Sequence, residues 1–438
     1  MQAQASTPNP VANVLERNIV LTLKSAEIDT QIQSRLKQIA RTAKMSGFRP
    51  GKVPFSVVAN QYGYQVRQEV MSDSVQRSFA DAVKEQNLRV AGYPRFAPAT
   101  QAPAPDQFAF TATFEVYPEF ALGSLGGQKL ERPTATVTDK DVDNTIDTLK
   151  KQRATFDKAD RAAQKGDFLV VDFNGTVDGA PFEGGKAENF GVVLGDGRML
   201  PDFEAALVGM AGGETKVFPL TFPADYSADV AGKTAEFTVT VKIVNAPVYP
   251  SVDAEFAKSL GVADGDVAKM RAEIKANLER ELKKRIRTKT KDQVMEALAT
   301  VTTLELPRAL VDMEIGRLQE AAIRDLEARG MTTKNMQLPP ELFLERAEKR
   351  VKLGLILSEV IRKNDLKASP EQVRVVVEEH AESFENPGQM VRWYYSEPSR
   401  LAEVEAMVLE ENVVEWAAKS MDVNVTEKSF DEIMEIKR

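Results

Sequence analysis

The alternation of hydrophobic and polar residues predicts a small α+β domain over residues 1–117. The segments Leu15–Leu23 and Phe108–Val116 each keep their hydrophobic residues on one face of an extended chain, which is typical of strands. Between them, helical spacing begins in Glu27–Lys44, stops at the glycines and prolines of Gly47–Pro54, and then resumes. In the second helix, hydrophobic residues recur at every fourth position on one face: Met71, Val75, Phe79 and Val83.

The middle of the chain changes from a capped helix to a strand-rich pattern. A connecting stretch at 118–150 contains a predicted helix, for which Thr138 is the N-cap and Asp141 follows three positions later. A domain at 151–246 follows, in which many glycines suit the tight turns of a small antiparallel sheet. Two runs in this domain alternate like strands: Leu169, Val171 and Phe173, then Phe237, Val239, Val241 and Ile243.

Residues 247–438 are predicted to be helical to the end. Hydrophobic residues step by four through a charged background, as they do from Met270 to Ile286. A chain of 438 residues is also longer than one hydrophobic core normally serves. We therefore expect a multidomain α+β protein.

Composition excludes several kinds of chemistry. The chain has no cysteine and one histidine, His380, so disulfides, thiolate nucleophiles, cysteine-ligated metals and multi-histidine metal sites are absent. The net charge of −8 argues against a uniformly basic nucleic-acid binder but allows a local basic patch. No apolar run approaches the roughly 20 residues of a membrane span, and Met1–Thr7 lacks signal-peptide character. We expect a cytoplasmic protein with no membrane partner and no metal.

One short segment combines an aromatic residue with cations. Gly47-Phe48-Arg49-Pro50-Gly51-Lys52-Val53-Pro54 is predicted to be an exposed loop between two helices, and no Asp or Glu occurs from Thr30 to Gln68. Seven basic residues fall in that window: Arg35, Lys37, Arg41, Lys44, Arg49, Lys52 and Arg67. By charge alone the segment is either a solvated helix face with a turn or a docking site for phosphate backbones.

The same segment resembles the G-F-R-x-G-K-x-P signature of the trigger factor family. The members of this family are bacterial ribosome-associated chaperones. The resemblance implies that a set of residues binds the ribosome: Gly47, Phe48, Arg49, Pro50, Gly51, Lys52 and Pro54. Among them, Phe48, Arg49 and Lys52 would dock on a protein and on ribosomal RNA at the peptide exit tunnel.

Large apolar side chains are frequent in the strand-rich domain and by composition alone could form nothing more than a core. Four segments, however, resemble successive parts of the FK506-binding-protein (FKBP) fold: Asp167–Gly175, Val177–Gly184, Leu194–Phe203 and Phe222–Tyr226. Those proteins isomerise X–Pro peptide bonds in a pocket walled by aromatic rings. The resemblance implies that one set of residues lines this pocket: Phe173, Phe182, Leu200, Phe203, Tyr226 and Phe237. Phe203 stands where stand-alone members often have Trp, and Glu183 stands where many have Asp.

Isomerisation of this kind suits a chain without reactive nucleophiles or cofactors. Rotation about an X–Pro bond has to break amide resonance, and water stabilises the planar, more polar form. An apolar pocket removes that advantage and binds the twisted form better than the ground state. Tyr226 would donate a hydrogen bond to the substrate carbonyl, and no titrating group is required.

Taken over the whole chain, the resemblance implies four regions. These are an N-terminal α+β ribosome-binding domain (1–117), a linker that packs with the C-terminal body (118–150), an FKBP-like antiparallel β domain with peptidyl-prolyl isomerase activity (151–246), and an all-α C-terminal chaperone domain with arms (247–438). The expected partners are the ribosome, nascent and unfolded polypeptides and, for molecules off the ribosome, a second copy of the chain.

Three functional hypotheses remain open from the sequence. The first is a ribosome-bound chaperone with an accessory isomerase, the second is an isomerase whose helices clamp the substrate, and the third is a holding or assembly factor for free proteins. The basic segment Gly47–Pro54 favours the first, because a stand-alone isomerase needs no basic docking tip.

Overall fold

The computed structural model describes residues 14–436 except 47, 49–51, 100–103, 105, 227–229, 335, 337, 383 and 385. Its first elements are β1 (Glu16–Lys24), α1 (Ser25–Thr42), α2 (Phe55–Glu85), β2 (Val90–Pro98) and β3 (Gln107–Val116). The three strands form an antiparallel sheet in the order β1-β3-β2. The predicted strands and helices of this domain are confirmed, and β2 is an additional strand.

The elements of the middle region follow in chain order. They are β4 (Lys129–Thr134), α3 (Asp139–Gln152), β5 (Thr155–Lys158), β6 (Phe168–Val177), β7 (Ala180–Val193), α4 (Pro201–Leu207), β8 (Thr215–Thr221) and β9 (Thr234–Val248). The predicted cap of α3 is confirmed, since Thr138 and Asp141 form a reciprocal capping box. Strands β5, β9, β6 and β7 lie side by side in one antiparallel sheet, and β8 also pairs with β9.

The predicted alternation of β9 is wrong at its last position. Val241 is buried, but Ile243 is 39% exposed. In the pairing of β6 with β9, Val170 lies opposite Ile243 and its neighbour Val171 lies opposite Val241, so Lys242 is an extra residue. Such a bulge reverses which side chains face the core beyond it, and a pattern of hydrophobic residues does not reveal it.

Helices dominate the remaining residues. They are α5 (Ala254–Ser259), α6 (Val267–Val301), α7 (Arg308–Ala328), α8 (Glu341–Lys363), α9 (Pro370–Ala381), α10 (Pro387–Tyr395), α11 (Pro398–Ala418) and, after the strand β10 (Asp422–Glu427), α12 (Phe430–Met434). The prediction that this region is helical to the end is therefore wrong for β10, which pairs with β4. No helix of the described residues is both long and apolar enough to cross a membrane.

The described chain forms two compact units. One contains the residues up to Arg132 together with Thr288–Val425, and the other contains Pro133–Arg287 with the residues from Thr426 onward. The connecting stretch contributes to cores in both. Leu125 and Leu130 pack in the first unit with buried residues of α6, α8 and α11. Val142 and Ile146 pack in the second unit with residues of α5, α6 and α12.

Within the first unit, α7 receives its N-terminal cap from a distant strand. Pro307 precedes the helix and offers no side-chain cap. The backbone N–H of Ala309 instead donates to the carboxylate of Glu115 in β3, with an N–O distance of 2.7 Å. Gly92 makes this approach possible, because a Cβ atom there would lie 2.5 Å from the Cβ of Ala309. A carboxylate at a helix N-terminus satisfies a free N–H and complements the helix dipole.

Candidate functional site

A cavity of about 500 Å³ opens in the sheet of the middle region. Residues from separate segments converge on it, and they include every side chain predicted for the pocket: Phe173, Phe182, Leu200, Phe203, Tyr226 and Phe237. The wall also contains apolar residues that were not predicted: Met199, Leu220, Phe222 and Val230. The cavity is therefore mainly aromatic and aliphatic, as expected for a site that binds a small apolar group.

Phe203 lies at the base of this wall and is 2% exposed. It belongs to the first turn of α4, which begins at Pro201. Its ring meets those of Phe173, Phe218 and Phe237 edge-on, at centroid distances of 5.7, 5.6 and 5.4 Å. Edge-to-face contacts at these distances are favourable and directional, so the ring is held on several sides.

Two glycines allow aromatic rings to lie directly over the backbone of the sheet. A Cβ at Gly175 would lie 2.6 Å from the ring of Phe237, and one at Gly185 would lie 2.9 Å from the ring of Phe182. The glycines of this domain were predicted to form tight turns, but Gly175 lies inside β6, where the missing side chain leaves room for a ring. A side chain at either position would displace a ring of the cavity wall.

The mouth of the cavity carries the polar groups. Tyr226 is 50% exposed, and its ring lies 5.0 Å from that of Phe222. Among the described residues its hydroxyl has no hydrogen-bond partner, so it can donate to a bound peptide. Glu183 also lines the mouth, as does Arg198, which forms an ion pair of 2.9 Å with Asp196. Neither histidine nor cysteine contributes to this wall.

A buried carboxylate, Asp167, is paired with the partly exposed guanidinium of Arg161 where the chain enters β6. The carboxylate of Asp167 accepts two hydrogen bonds from the Arg161 guanidinium, at 2.6 and 2.8 Å, and one from the backbone N–H of Gln164. Burial alone would raise the pKa of Asp167, but the hydrogen bonds from Arg161 and Gln164 and the charge of Arg161 lower it below its ordinary value. The carboxylate is therefore charged at neutral pH and stabilises the turn before the strand.

The predicted docking segment connects α1 to α2. Of its predicted residues, Phe48, Lys52 and Pro54 are described and exposed, whereas Gly47, Arg49, Pro50 and Gly51 lie outside the described residues. Phe48 is 40% exposed. Val53 is buried in the core between the two helices, with Met45 packed against the same core. These two anchors leave Phe48 and Lys52 free to contact a partner.

The positive charge around this segment is smaller than the sequence analysis indicated. Acidic residues that lie just outside the acid-free window pair with two of its cations. Arg35 contacts Glu69 at 2.6 Å, and Arg67 contacts Asp29 at 3.7 Å. Four cations of the window have no ion-pair partner among the described residues: Lys37, Arg41, Lys44 and Lys52.

Comparisons with known proteins agree with both resemblances. The family model for the bacterial trigger factor protein (TF) matches residues 6–149, that for its C-terminus matches 266–419, and that for FKBP-type peptidyl-prolyl cis-trans isomerase matches 159–242. The trigger factor of Aromatoleum aromaticum is 52% identical over 429 residues, which cover 98% of this chain and 99% of the relative. The trigger factor of Dechloromonas aromatica is 53% identical over 424 residues, which cover 97% and 98% of the two chains. The chain therefore belongs to the trigger factor family of ribosome-associated chaperones, and its middle domain is an FKBP-type peptidyl-prolyl isomerase.

Proposed function

We propose that the aromatic cavity is the isomerase site and binds the proline ring of an X–Pro bond. The observation that carries this proposal is the convergence of the six predicted residues on one cavity: Phe173, Phe182, Leu200, Phe203, Tyr226 and Phe237. An apolar cavity of about 500 Å³ accepts a proline and part of its neighbours while it excludes most water.

An apolar cavity changes the relative free energies of the planar and the twisted amide. The planar amide is more polar than the twisted one, so the loss of water costs the planar form more. Phe203 and Phe237 present apolar surface to the twisted bond, and the Tyr226 hydroxyl donates to the carbonyl of the bound peptide. No proton is transferred in this scheme, and none of the described residues of the wall needs to change its charge.

A pair of matched variants tests the assignment in the full-length protein. Phe182→Ala removes a ring that lines the cavity and contacts Phe222 and Phe237. Phe156→Ala removes a ring that packs on Phe168 and does not line the cavity. We expect Phe182→Ala to lower kcat/KM for an X–Pro peptide about tenfold, the loss of roughly 1.4 kcal/mol of transition-state binding. Phe156→Ala should keep wild-type activity, and equal activity of the two variants would refute the assignment.

We also propose that Phe48, Arg49 and Lys52 dock the protein at the exit tunnel, on a ribosomal protein and on ribosomal RNA. The exposed ring of Phe48 and the unpaired cations beside it support this assignment. Cations without acidic partners can neutralise phosphates at no cost of breaking an ion pair. Docking through this segment would then place nascent chains within reach of the rest of the molecule.

We propose further that the protein works in the cytoplasm, where the ribosomes that it binds translate. Off the ribosome, two copies associate, and the outward face of the N-terminal sheet is the surface that we assign to this contact. Val20 is 62% exposed on that face, and the neighbouring residues Thr111 and Thr113 are uncharged. Sedimentation of the free protein over a range of concentrations tests the association.

A further inference from the structure

Glu204 is a buried carboxylate directly after the floor residue Phe203. It lies in the first turn of α4 and is 8% exposed. Each carboxylate oxygen accepts one backbone N–H from the preceding loop. Gly195 donates to Oε2 at 2.7 Å, and Met199 donates to Oε1 at 3.4 Å. One side chain therefore holds both ends of the loop that runs from Gly195 to Met199.

This loop forms one side of the cavity. Gly197, Arg198 and Met199 line it, together with Leu200, the residue that precedes α4. Two glycines of the loop have left-handed backbone angles, with φ of +88° at Gly195 and +72° at Gly197. Glycine adopts this conformation without strain, but it loses more conformational entropy on folding than any other residue. A loop of this kind needs a tether if its side chains are to keep one position.

The loop has little backbone bonding of its own. Among the described residues of the loop, only Asp196 donates a backbone–backbone hydrogen bond, from its N–H to the carbonyl of Val193 at 3.3 Å. The ion pair between Arg198 and Asp196 is exposed, so it contributes little to the position of the wall. The carboxylate of Glu204 is the acceptor that connects the loop to the helix that carries the cavity floor.

We propose that Glu204 is a positioning residue for X–Pro isomerisation. It does not touch the substrate, and it acts by holding the loop residues that line the cavity, Gly197, Arg198 and Met199, at a fixed distance from Phe203. A charged acceptor suits this task, because a carboxylate binds backbone N–H groups more strongly than a neutral oxygen does. The inference rests on the proposal that this cavity is the isomerase site.

The experiment compares two substitutions at this position in the full-length protein. Glu204→Gln keeps the shape of the side chain and one accepting oxygen, whereas Glu204→Ala removes both acceptors. The matched control is Glu214→Gln, since Glu214 also accepts a backbone N–H, from Ala211 at 2.9 Å, but does not line the cavity. Phe182→Ala, a substitution in the wall itself, reports whether the cavity is the site at all.

We expect Glu204→Ala to lower kcat for an X–Pro peptide roughly 10- to 100-fold, because a displaced wall no longer fits the reacting bond. Glu204→Gln should lose less, and KM should change less than kcat, because the wall has to fit the twisted amide more closely than the planar one. Amide hydrogen exchange should become faster at Gly195 and Met199. Glu214→Gln should match the wild type in all of these measurements.

Thermal unfolding of each variant separates positioning from stability. If both Glu204 variants unfold at a lower temperature but keep kcat within about twofold at a temperature where they are folded, Glu204 only stabilises the fold and the proposal is overturned. If Phe182→Ala is inactive while both Glu204 variants are active, the positioning role alone fails. If Phe182→Ala and the Glu204 variants are all fully active, the cavity is not the isomerase site and both proposals fail.

Discussion

Replacement of Phe203 should separate the stability of the isomerase domain from its activity. The side chain is 2% exposed and contacts three other rings, so Phe203→Ala leaves a void that neighbouring residues fill only in part. Substitutions of this type cost about 3 to 5 kcal/mol. Phe203→Leu keeps most of the volume and should cost about 1.5 kcal/mol. Because domains are stable by about 5 to 15 kcal/mol, we expect the leucine variant to stay folded at 25 °C.

The effect on catalysis follows from the place of the ring at the base of the proposed site. Because the side chain is already 2% exposed, its effect comes from the shape of the cavity floor and not from new surface that a peptide would bury. We expect the changed floor to lower kcat/KM roughly tenfold in Phe203→Leu and more in Phe203→Ala, since a small misplacement of the reacting groups can cost about 100-fold. The assay follows the isomerisation of an X–Pro tetrapeptide in the presence of an isomer-specific protease, and denaturant unfolding of the same samples gives the folded fraction.

Phe218→Leu is the matched control for this prediction. Phe218 belongs to the same core, contacts the ring of Phe203, and does not line the cavity. We expect a similar loss of stability and less than about a threefold loss of kcat/KM. Equal activity of Phe203→Leu and the wild type would refute the role of the floor ring. Equal losses of activity in Phe203→Leu and Phe218→Leu would show that the assay reports core packing and not contact with the peptide.

Two other predictions concern charge. Replacement of Phe48, Arg49 and Lys52 by alanine should abolish sedimentation with ribosomes and leave isomerase activity intact. In the control, alanine at the exposed residues Lys84, Tyr93 and Arg95 should change neither property. Ribosome binding by the first triple variant at the wild-type level would contradict the docking assignment. Asp167→Asn should destabilise the isomerase domain by roughly 1 to 3 kcal/mol at pH 7, measured by denaturant unfolding. The pKa of Asp167 in the folded protein is below its ordinary value of 3.8. The difference in stability between the wild type and Asp167→Asn should therefore be complete above pH 3.8 and disappear as the pH falls through the folded pKa. A difference in stability that persists in strong acid would contradict this prediction.

Local patterns in the sequence predict most of the regular elements, because alternation and four-residue spacing report directly on burial. The strands β1, β3 and β6 and the capped helix α3 are examples. β2 was not predicted because Gly92 and Pro94 interrupt its alternation of hydrophobic and polar residues. The register of its pairing with β3 also shifts between Ala91 and Arg95. β10 was not predicted because it is short, its two valines are exposed and its partner strand β4 is distant in sequence.

The cavity could be predicted only through resemblance. Alternation shows that Phe173 and Phe237 are buried, but a buried ring in a core and a ring in a cavity wall give the same pattern. The four segments that resemble the FKBP fold brought the predicted residues together. Phe222 lies within one of those segments, but the resemblance did not assign its ring to the wall.

Features that depend on partners distant in sequence could not be predicted at all. Gly175 is required by a ring more than sixty residues away, that of Phe237. Glu115 caps a helix 194 residues away, where Ala309 donates to it. The charge around the docking segment was misjudged for the same reason. Composition counts Arg35 as a free cation, whereas the packing of α1 against α2 places the acid Glu69 beside it.

The two sites that we propose for this chain depend on different physical forces and consist of different residues. The docking site contains cations without acidic partners among the described residues and one exposed ring, Phe48, so we expect ribosome binding to weaken as the salt concentration rises. The isomerase cavity is mainly aromatic and aliphatic, and neither histidine nor cysteine lines it, so no imidazole or thiol titrates there near neutral pH. On this proposal, a single chain binds a polyanionic partner and an apolar peptide at sites that share no residues.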